Sequence, residues 1–163
     1  MAFIESIKDL EALTLTVYAE LAATPERVWR LWEDPRQLER WWGPPGYPAT
    51  FSRHDFAVPG RSIYYMTSPE GERHYGWWNY RSIAAPHALE IEDGFGDAEG
   101  NVAPDMPEPG VFTVAIEPIG DVTRMTITSR FTRLEHLEEL VAMGQVEGMT
   151  LAMGQIDAIL AED

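Results

Sequence analysis

The 163-residue chain contains no cysteine. This excludes a disulfide framework, a thiolate nucleophile and a thiolate metal site, and it suits a reducing cytoplasm. Basic residues are scarce: 12 Lys and Arg stand against 27 Asp and Glu, a formal charge of −15. Gripping a phosphate backbone takes clustered Lys and Arg, so nucleic acid is not an expected partner, and the acidic surface serves solubility. No apolar run approaches the roughly 20 residues of a membrane span. The stretch Met1 to Leu10 lacks the basic-then-apolar pattern of a signal peptide. Neither a membrane nor export is therefore expected. Familiar catalytic signatures are missing too. There is no G-x-S-x-G elbow and no P-loop, and Gly94-Phe95-Gly96 leads into a loop where a dinucleotide fingerprint needs a helix. The four histidines, His54, His74, His87 and His136, show neither H-E-x-x-H spacing nor any pairing, so no metal and no cofactor is expected, and His136, among Glu135, Glu138 and Glu139, reads as part of a solvated helix turn.

What is present reads as one domain over residues 1–163, with 45% hydrophobic and 11% aromatic residues, enough for a core of its own. Leu13, Leu15 and Val17 alternate with Thr14 and Thr16, predicting a half-buried first strand over Leu13 to Leu21. Thr24-Pro25 and Asp34-Pro35 each pair a capping side chain with a proline at the first helical position, so two short helices follow. Gln37 stands three residues after the second cap. Gly43-Pro44-Pro45-Gly46 ends that pair.

From Ala49 to Phe131 the pattern is strands and turns. Strands are predicted at Arg61 to Ser68, Arg73 to Ala84, Ala88 to Asp93, Val111 to Glu117 and Thr123 to Phe131. The intervening loop, Gly94 to Gly110, is rich in Gly, Pro and acid, long enough to serve as a lid. Its acids, with Asp93, read as solvated rim groups. Asp97 to Asn101 lacks the bidentate glutamate of a calcium loop. Thr132 with Glu135 predicts a capping box that opens one long helix over residues 133 to 161.

That helix carries Gly144, Gly148 and Gly154, each costing about 1 kcal/mol relative to alanine in a helix interior. Gly144 and Gly148 are four apart and would leave a trough on one face. The order of elements gives an α+β fold, a curved antiparallel sheet gripping one long C-terminal helix, with two short helices after the first strand. A notched helix across an aromatic sheet implies either a small-molecule cavity or unusually close packing.

Several stretches, in order, resemble the SRPBCC superfamily, the START-like or birch-pollen-allergen-like helix-grip proteins. They are Ala23-Thr24-Pro25-Glu26-Arg27-Val28-Trp29, Trp41-Trp42-Gly43-Pro44, Asp55-Phe56-Ala57-Val58-Pro59-Gly60-Arg61 and Tyr64-Tyr65-Met66 leading to Pro69-Glu70-Gly71. Gly144, Gly148-Met149 and Leu160 complete the set. Within the superfamily the chain is most similar to the branch of the activator of heat shock protein 90 ATPase homologue C-terminal domain. The resemblance implies the helix-grip fold but no single chemistry, since its members include lipid carriers, hormone receptors and cyclases. The cochaperone that names the branch has a chaperone-binding domain ahead of this one. Only a short segment precedes Leu13, so bacterial-type single-domain members are the nearer comparison.

Strand alternation turns Tyr64 and Met66 inward and Ile63, Tyr65 and Thr67 outward, and it groups Trp78 with Tyr80. Trp42, His54 and Phe112 would close the ends of the cavity. From the helix come Met143, Gly144, Gly148, Met149 and Met153. Methionine and aromatic side chains suit an adaptable apolar pocket; equally, they are the residues that fill an ordinary core. Trp77 must face opposite to Trp78. It would mark a homodimer contact or lie beneath Phe3, Ile4 and Ile7. The expected function is binding of a small hydrophobic or aromatic molecule without catalysis. The alternatives are a cyclase- or hydratase-type enzyme using Tyr64, Tyr80, His54 or His74, and a cochaperone-like interaction module.

Overall fold

A computed structural model describes residues 3–163; Met1 and Ala2, part of the expected single domain and of the stretch read for a signal peptide, lie outside the described residues. Eight antiparallel strands form one sheet: β1 (Phe3–Asp9), β2 (Thr14–Leu21), β3 (Ala49–His54), β4 (Arg61–Thr67), β5 (Arg73–Ala84), β6 (Ala88–Gly96), β7 (Gly110–Ile119) and β8 (Val122–Arg130). Their order is β1-β2-β8-β7-β6-β5-β4-β3. Helices α1 (Pro25–Glu33) and α2 (Pro35–Trp41) follow β2, and α3 (Leu134–Ala142), α4 (Gln145–Met153) and α5 (Ile156–Leu160) end the chain. The fold is α+β, with the sheet curved around the helices. Helix α4 packs on β1 and β2 while α2 packs on β3, at the other edge of the sheet. Bulges at Phe51/Arg53 and Tyr80/Ser82 add local bend.

The helix starts behave as their residues require. Thr24 accepts a hydrogen bond from the Arg27 N–H at 3.2 Å, and Asp34 accepts one from the Arg36 N–H at 2.9 Å. Gln37 reaches back to the Asp34 carboxylate at 3.1 Å. Both prolines occupy the first turn, where no donor is missed. The C-terminus is tied onto this helix pair. Arg27, almost fully buried, donates to Asp163 at 2.5 Å and to Gln37 at 2.7 Å. Arg40 pairs with Glu162, and Gln155 donates to the Gly43 carbonyl at 2.7 Å.

Three details differ from the sequence reading. A strand, β1, precedes Thr14 and pairs along its length with β2 from Phe3↔Glu20 to Asp9↔Thr14. Its residues are mostly exposed, so it has no clean alternation to read. The C-terminal helix is broken into three. Gly144 adopts φ +84°, which a side chain resists, and it ends α3 and starts α4 rather than thinning a continuous helix. A second break falls at Gly154-Gln155. The Thr132 capping box does not form, because α3 begins one residue late, with Arg133 at the N-cap and no side-chain cap. Arg133 instead donates to Glu108 at 2.8 Å.

The core lies between sheet and helices. Trp32, Trp41 and Trp78 are fully buried with Leu31, Leu38, Ile91, Met125 and Met153. Rings of Trp32 and Trp41 meet edge-on at 5.0 Å, and Trp42 meets Trp78 edge-on at 4.8 Å, the geometry their quadrupoles favour. Trp77, on the opposite face, is only 3% exposed. Its cover comes from within the chain, and from β6 and the segment after it rather than from β1. Its ring rests on Gly94, its N–H donates to the Phe95 carbonyl at 3.2 Å, and the Arg61 guanidinium lies 5.7 Å from its centre. Arg61 in turn donates to the Gly100 carbonyl at 2.8 Å, pinning the 97–103 segment over this outer face, where it also buries Ile63. Among the described residues, no helix is long and apolar enough to cross a membrane.

Candidate functional site

Where α3 and α4 cross the sheet, the side chains do not meet. A cavity of about 300 Å³ remains between them, at the small end of the range of ligand pockets. Tyr64, Met66 and Phe112 line it from the sheet, Trp42 from the end of α2, and Met143, Gly144, Gly148 and Met149 from the C-terminal helices. A side chain built at Gly148 would meet nothing within 4 Å, so that glycine does leave room. Met143 is half exposed and stands at the mouth.

Tyr64 crosses β5 at Gly76, whose missing side chain is a requirement. A Cβ there would lie 2.4 Å from the phenol oxygen. Burial pushes the Tyr64 phenol up to about 12, so it stays protonated. The indole N–H groups of Trp42 and Trp78 have no hydrogen-bond partner among the described residues, and both lie near enough to the Tyr64 oxygen to pull its pKa down against burial.

A polar corner adjoins it. Asp93, the cross-strand partner of Trp78, lines the cavity with Glu108 and His136. Burial raises the Asp93 carboxyl to about 7, with only its own backbone N–H to lower it. His136 is 3% exposed, lies edge-on to Phe131 at 4.9 Å, and has Nδ1 3.7 Å from Glu108. Burial pushes its imidazole down more strongly than Glu108 and Glu139 pull it up, so it is neutral near pH 7.

Four residues expected at the pocket belong elsewhere. Trp78 and Met153 are wholly buried in the core, packed out of reach of the cavity. His54 and Tyr80 form a closed relay away from it. The His54 Nε2 faces the carbonyls of Trp32 and Glu33 at 3.0 and 3.2 Å, so it carries the proton. Nδ1 must then accept from Ser62 at 2.8 Å, and Ser62 accepts from Tyr80 at 2.7 Å. Every proton is committed, and burial holds His54 neutral; it is a brace, not a base. His74 lies exposed at the start of β5 and is not part of the cavity wall.

The groups missed were Asp93 and His136, read from the sequence as solvated. Both carried a signal. Asp93 continues the inward parity of Leu89 and Ile91 once the strand is extended to Gly96. His136 lies one helical turn before Leu140 on the same face. The 97–103 segment covers the outer face rather than serving as a lid, and from the stretch Gly94 to Gly110 the cavity is reached by Gly94, Phe95, Glu108 and Gly110. Asp97 spends its carboxylate on the N–H groups of Glu99 and Asn101 and the Asn101 amide. Among the described residues, no three His, Asp or Glu side chains are grouped to hold a metal ion.

Residues 22–161 match the model of the family described as activator of Hsp90 ATPase homolog 1-like protein. The chain belongs to that family. A protein of Arthrobacter aurescens, solved by NMR, is 48% identical over 98% of this chain and 92% of its own, with a TM-score of 0.90. A crystal structure from Mycobacterium smegmatis is 39% identical over 96% and 95%, TM-score 0.88. One from Rhodobacter sphaeroides, 21% identical over 99% and 100%, shares the fold at 0.85. Comparison with curated proteins finds no match. Membership in the activator of Hsp90 ATPase homolog 1-like family fixes the helix-grip architecture of the SRPBCC superfamily. It supports a ligand-binding or interaction module without naming a ligand.

Proposed function

We propose that this protein binds a small hydrophobic or aromatic molecule in the cavity between α3, α4 and the sheet. One observation carries the reading: about 300 Å³ stays unfilled in a domain that elsewhere packs tryptophan against tryptophan. Interiors are normally packed as densely as organic crystals, so an unfilled space bounded by methionine and aromatic rings suits a guest. A ligand at a hundredfold excess over its dissociation constant adds about 2.7 kcal/mol of stability. A thermal-shift screen of hydrophobic metabolites therefore reports binding. Gly148→Leu starts a side chain at a point where a Cβ meets nothing within 4 Å and should abolish every hit while leaving the fold intact. Hits that survive this substitution would place binding elsewhere.

A second reading is favoured by Asp93. A carboxyl at about 7 beside a protonated Tyr64 suits general acid–base work at neutral pH. Proton abstraction from 5-nitrobenzisoxazole tests it. Turnover should fall in Asp93→Asn and follow a pH profile inflecting near 7, whereas equal rates in both proteins exclude it.

A further inference from the structure

The corner above Gly110 has a chemistry of its own. A Cβ at Gly110 would lie 3.8 Å from Asp93 Oδ1, 3.9 Å from the Arg130 carbonyl oxygen and 3.5 Å from His136 Cε1. Nothing in the chain fills that point. A carboxylate and a carbonyl only accept hydrogen bonds, and Glu108 adds a third acceptor beside His136. Charge at the corner is unbalanced. Arg133 serves Glu108 and reaches Glu135, while Asp93 has no ion pair and no hydrogen bond beyond its own backbone N–H among the described residues. His136 supplies no cation, and neither ring nitrogen has a partner within hydrogen-bond distance, although the side chain is 97% buried by its 3% exposure. Five aromatic rings stand in the rest of the wall: Trp42, Tyr64, Phe95, Phe112 and Phe131.

We propose that this corner receives a protonated amine, so that the molecule held in the cavity is a cationic amphiphile with an apolar or aromatic body. An ammonium supplies the donor that Asp93 lacks, with the Arg130 carbonyl and Glu108 as further acceptors beside it. It also gains from the aromatic faces and from the field of a chain carrying −15. The inference rests on the cavity being a binding site, and it deepens that reading by naming what the ligand carries.

Protons give it a sign. Without a cation, burial keeps Asp93 protonated up to about pH 7; an ammonium within a few ångströms favours the carboxylate. Amine binding therefore releases a proton below pH 7 and tightens as pH rises through 7. A neutral ketone needs the protonated carboxyl as its donor and weakens over the same range. The groups facing Asp93 are Tyr64 from β4, Glu92 from its own strand, Arg130 from β8, Glu108 and Arg133 from the loops, and His136 and Glu139 from α3. Asp93→Asn separates its titration from all of theirs.

The experiment is calorimetric titration of the full chain with 4-phenylbutylamine and with 4-phenyl-2-butanone, at pH 6 and pH 8. The amine should bind about tenfold tighter at pH 8, the factor expected when a group of pKa near 7 must ionise. Asp93→Asn should remove that difference and weaken the amine at least about tenfold, leaving the ketone nearly unchanged at pH 6, where the amide replaces the protonated carboxyl as donor, and abolishing its loss at pH 8. Gly110→Ala meets only ordinary contacts, so it should fold normally while its methyl group displaces the ammonium and weakens the amine alone. Ketone binding as tight as the amine at pH 8, or amine binding indifferent to Asp93→Asn, would overturn the inference and leave the apolar-ligand reading standing. Failure of both compounds to bind counts against both.

Discussion

His54 and His136 are histidines of one small domain, both held neutral by burial, and they differ in what their ring nitrogens meet. Both nitrogens of His54 are satisfied, in a relay that joins β3, β4, β5 and the end of α1. Neither nitrogen of His136 has a hydrogen bond within reach, and the Asp93 carboxyl nearby is equally bare. A buried polar group left unpaired costs roughly 1–3 kcal/mol. The His54 relay, at the closed end of the molecule, avoids that cost; at the open end His136 and Asp93 instead line the cavity, where a ligand can supply their partners. Of these two histidines, the satisfied one braces the scaffold and the open one lines the cavity.

The comparison breaks most visibly at the closed end. Trp32 is fully buried, its indole N–H 3.2 Å from the Met125 sulfur and its ring against Trp41, Trp42, Trp78 and Phe112. Trp32→Ala should cost about 3–5 kcal/mol in urea unfolding, because no neighbour can collapse into the void. A loss well under that would mean the core is as loosely filled as the cavity.

Next in size is a gain. The Asp93 carboxyl sits at about 7 in the folded protein against 3.8 for the free group. A raised folded value means that the native state binds the proton more tightly. Its contribution is therefore fully present below pH 3.8 and is lost as pH rises through 7. At pH 8 the charged form costs as much as about 4 kcal/mol, an upper bound because the carboxyl opens onto a cavity that admits water. Asp93→Asn should accordingly stabilise the protein at pH 8 and do little at pH 4, measured as the difference in unfolding free energy between the two proteins. A pH-independent effect would mean that Asp93 is already solvated, and the open end would lose its distinguishing charge.

These two residues also show what could be read in advance. Thr24, Asp34, the strand alternation and the family stretches are local signals, each satisfied within a few residues, and the fold followed from them. Tyr64, Met66, Phe112 and Met149 reached the cavity wall by parity and helical spacing alone. The failures are non-local. Met153 shares a helix with Met149, but whether it faces the core depends on the break at Gly144, whose left-handed backbone a helical pattern conceals. His54 looked available because its partners, Trp32, Ser62 and Tyr80, come from three other elements. Asp93 and His136 were set aside because charge and polarity suggested solvent, although parity and spacing placed both inward.

A smaller effect sharpens the closed side. Tyr80→Phe removes the hydroxyl that donates to Ser62 and should cost roughly 1–3 kcal/mol, the range for breaking a buried pair. The same change should leave ligand affinity unaltered, since Tyr80 is not in the cavity wall. His54 adds a pH arm to this test. Its folded value is lowered, so its contribution is present above the ordinary value of 6.5 and fades as pH falls below it. A Tyr80→Phe protein whose ligand affinity drops with its stability would join the two ends into one unit.

The smallest expected change lies at the open end. Met149 is half-buried and lines the cavity, whereas Met153, one turn later on α4, is wholly buried. Truncating a fully buried methionine costs about 2–5 kcal/mol, through both lost burial and the void left behind. At Met149 the void already exists and admits water, so Met149→Ala forfeits only part of the transfer term, about 1 kcal/mol or less. Its larger consequence should be for binding, because the thioether wall recedes from any guest. Equal destabilisation by Met149→Ala and Met153→Ala would show the cavity closing around Met149 in solution, with the chain's own side chains taking the place of a ligand.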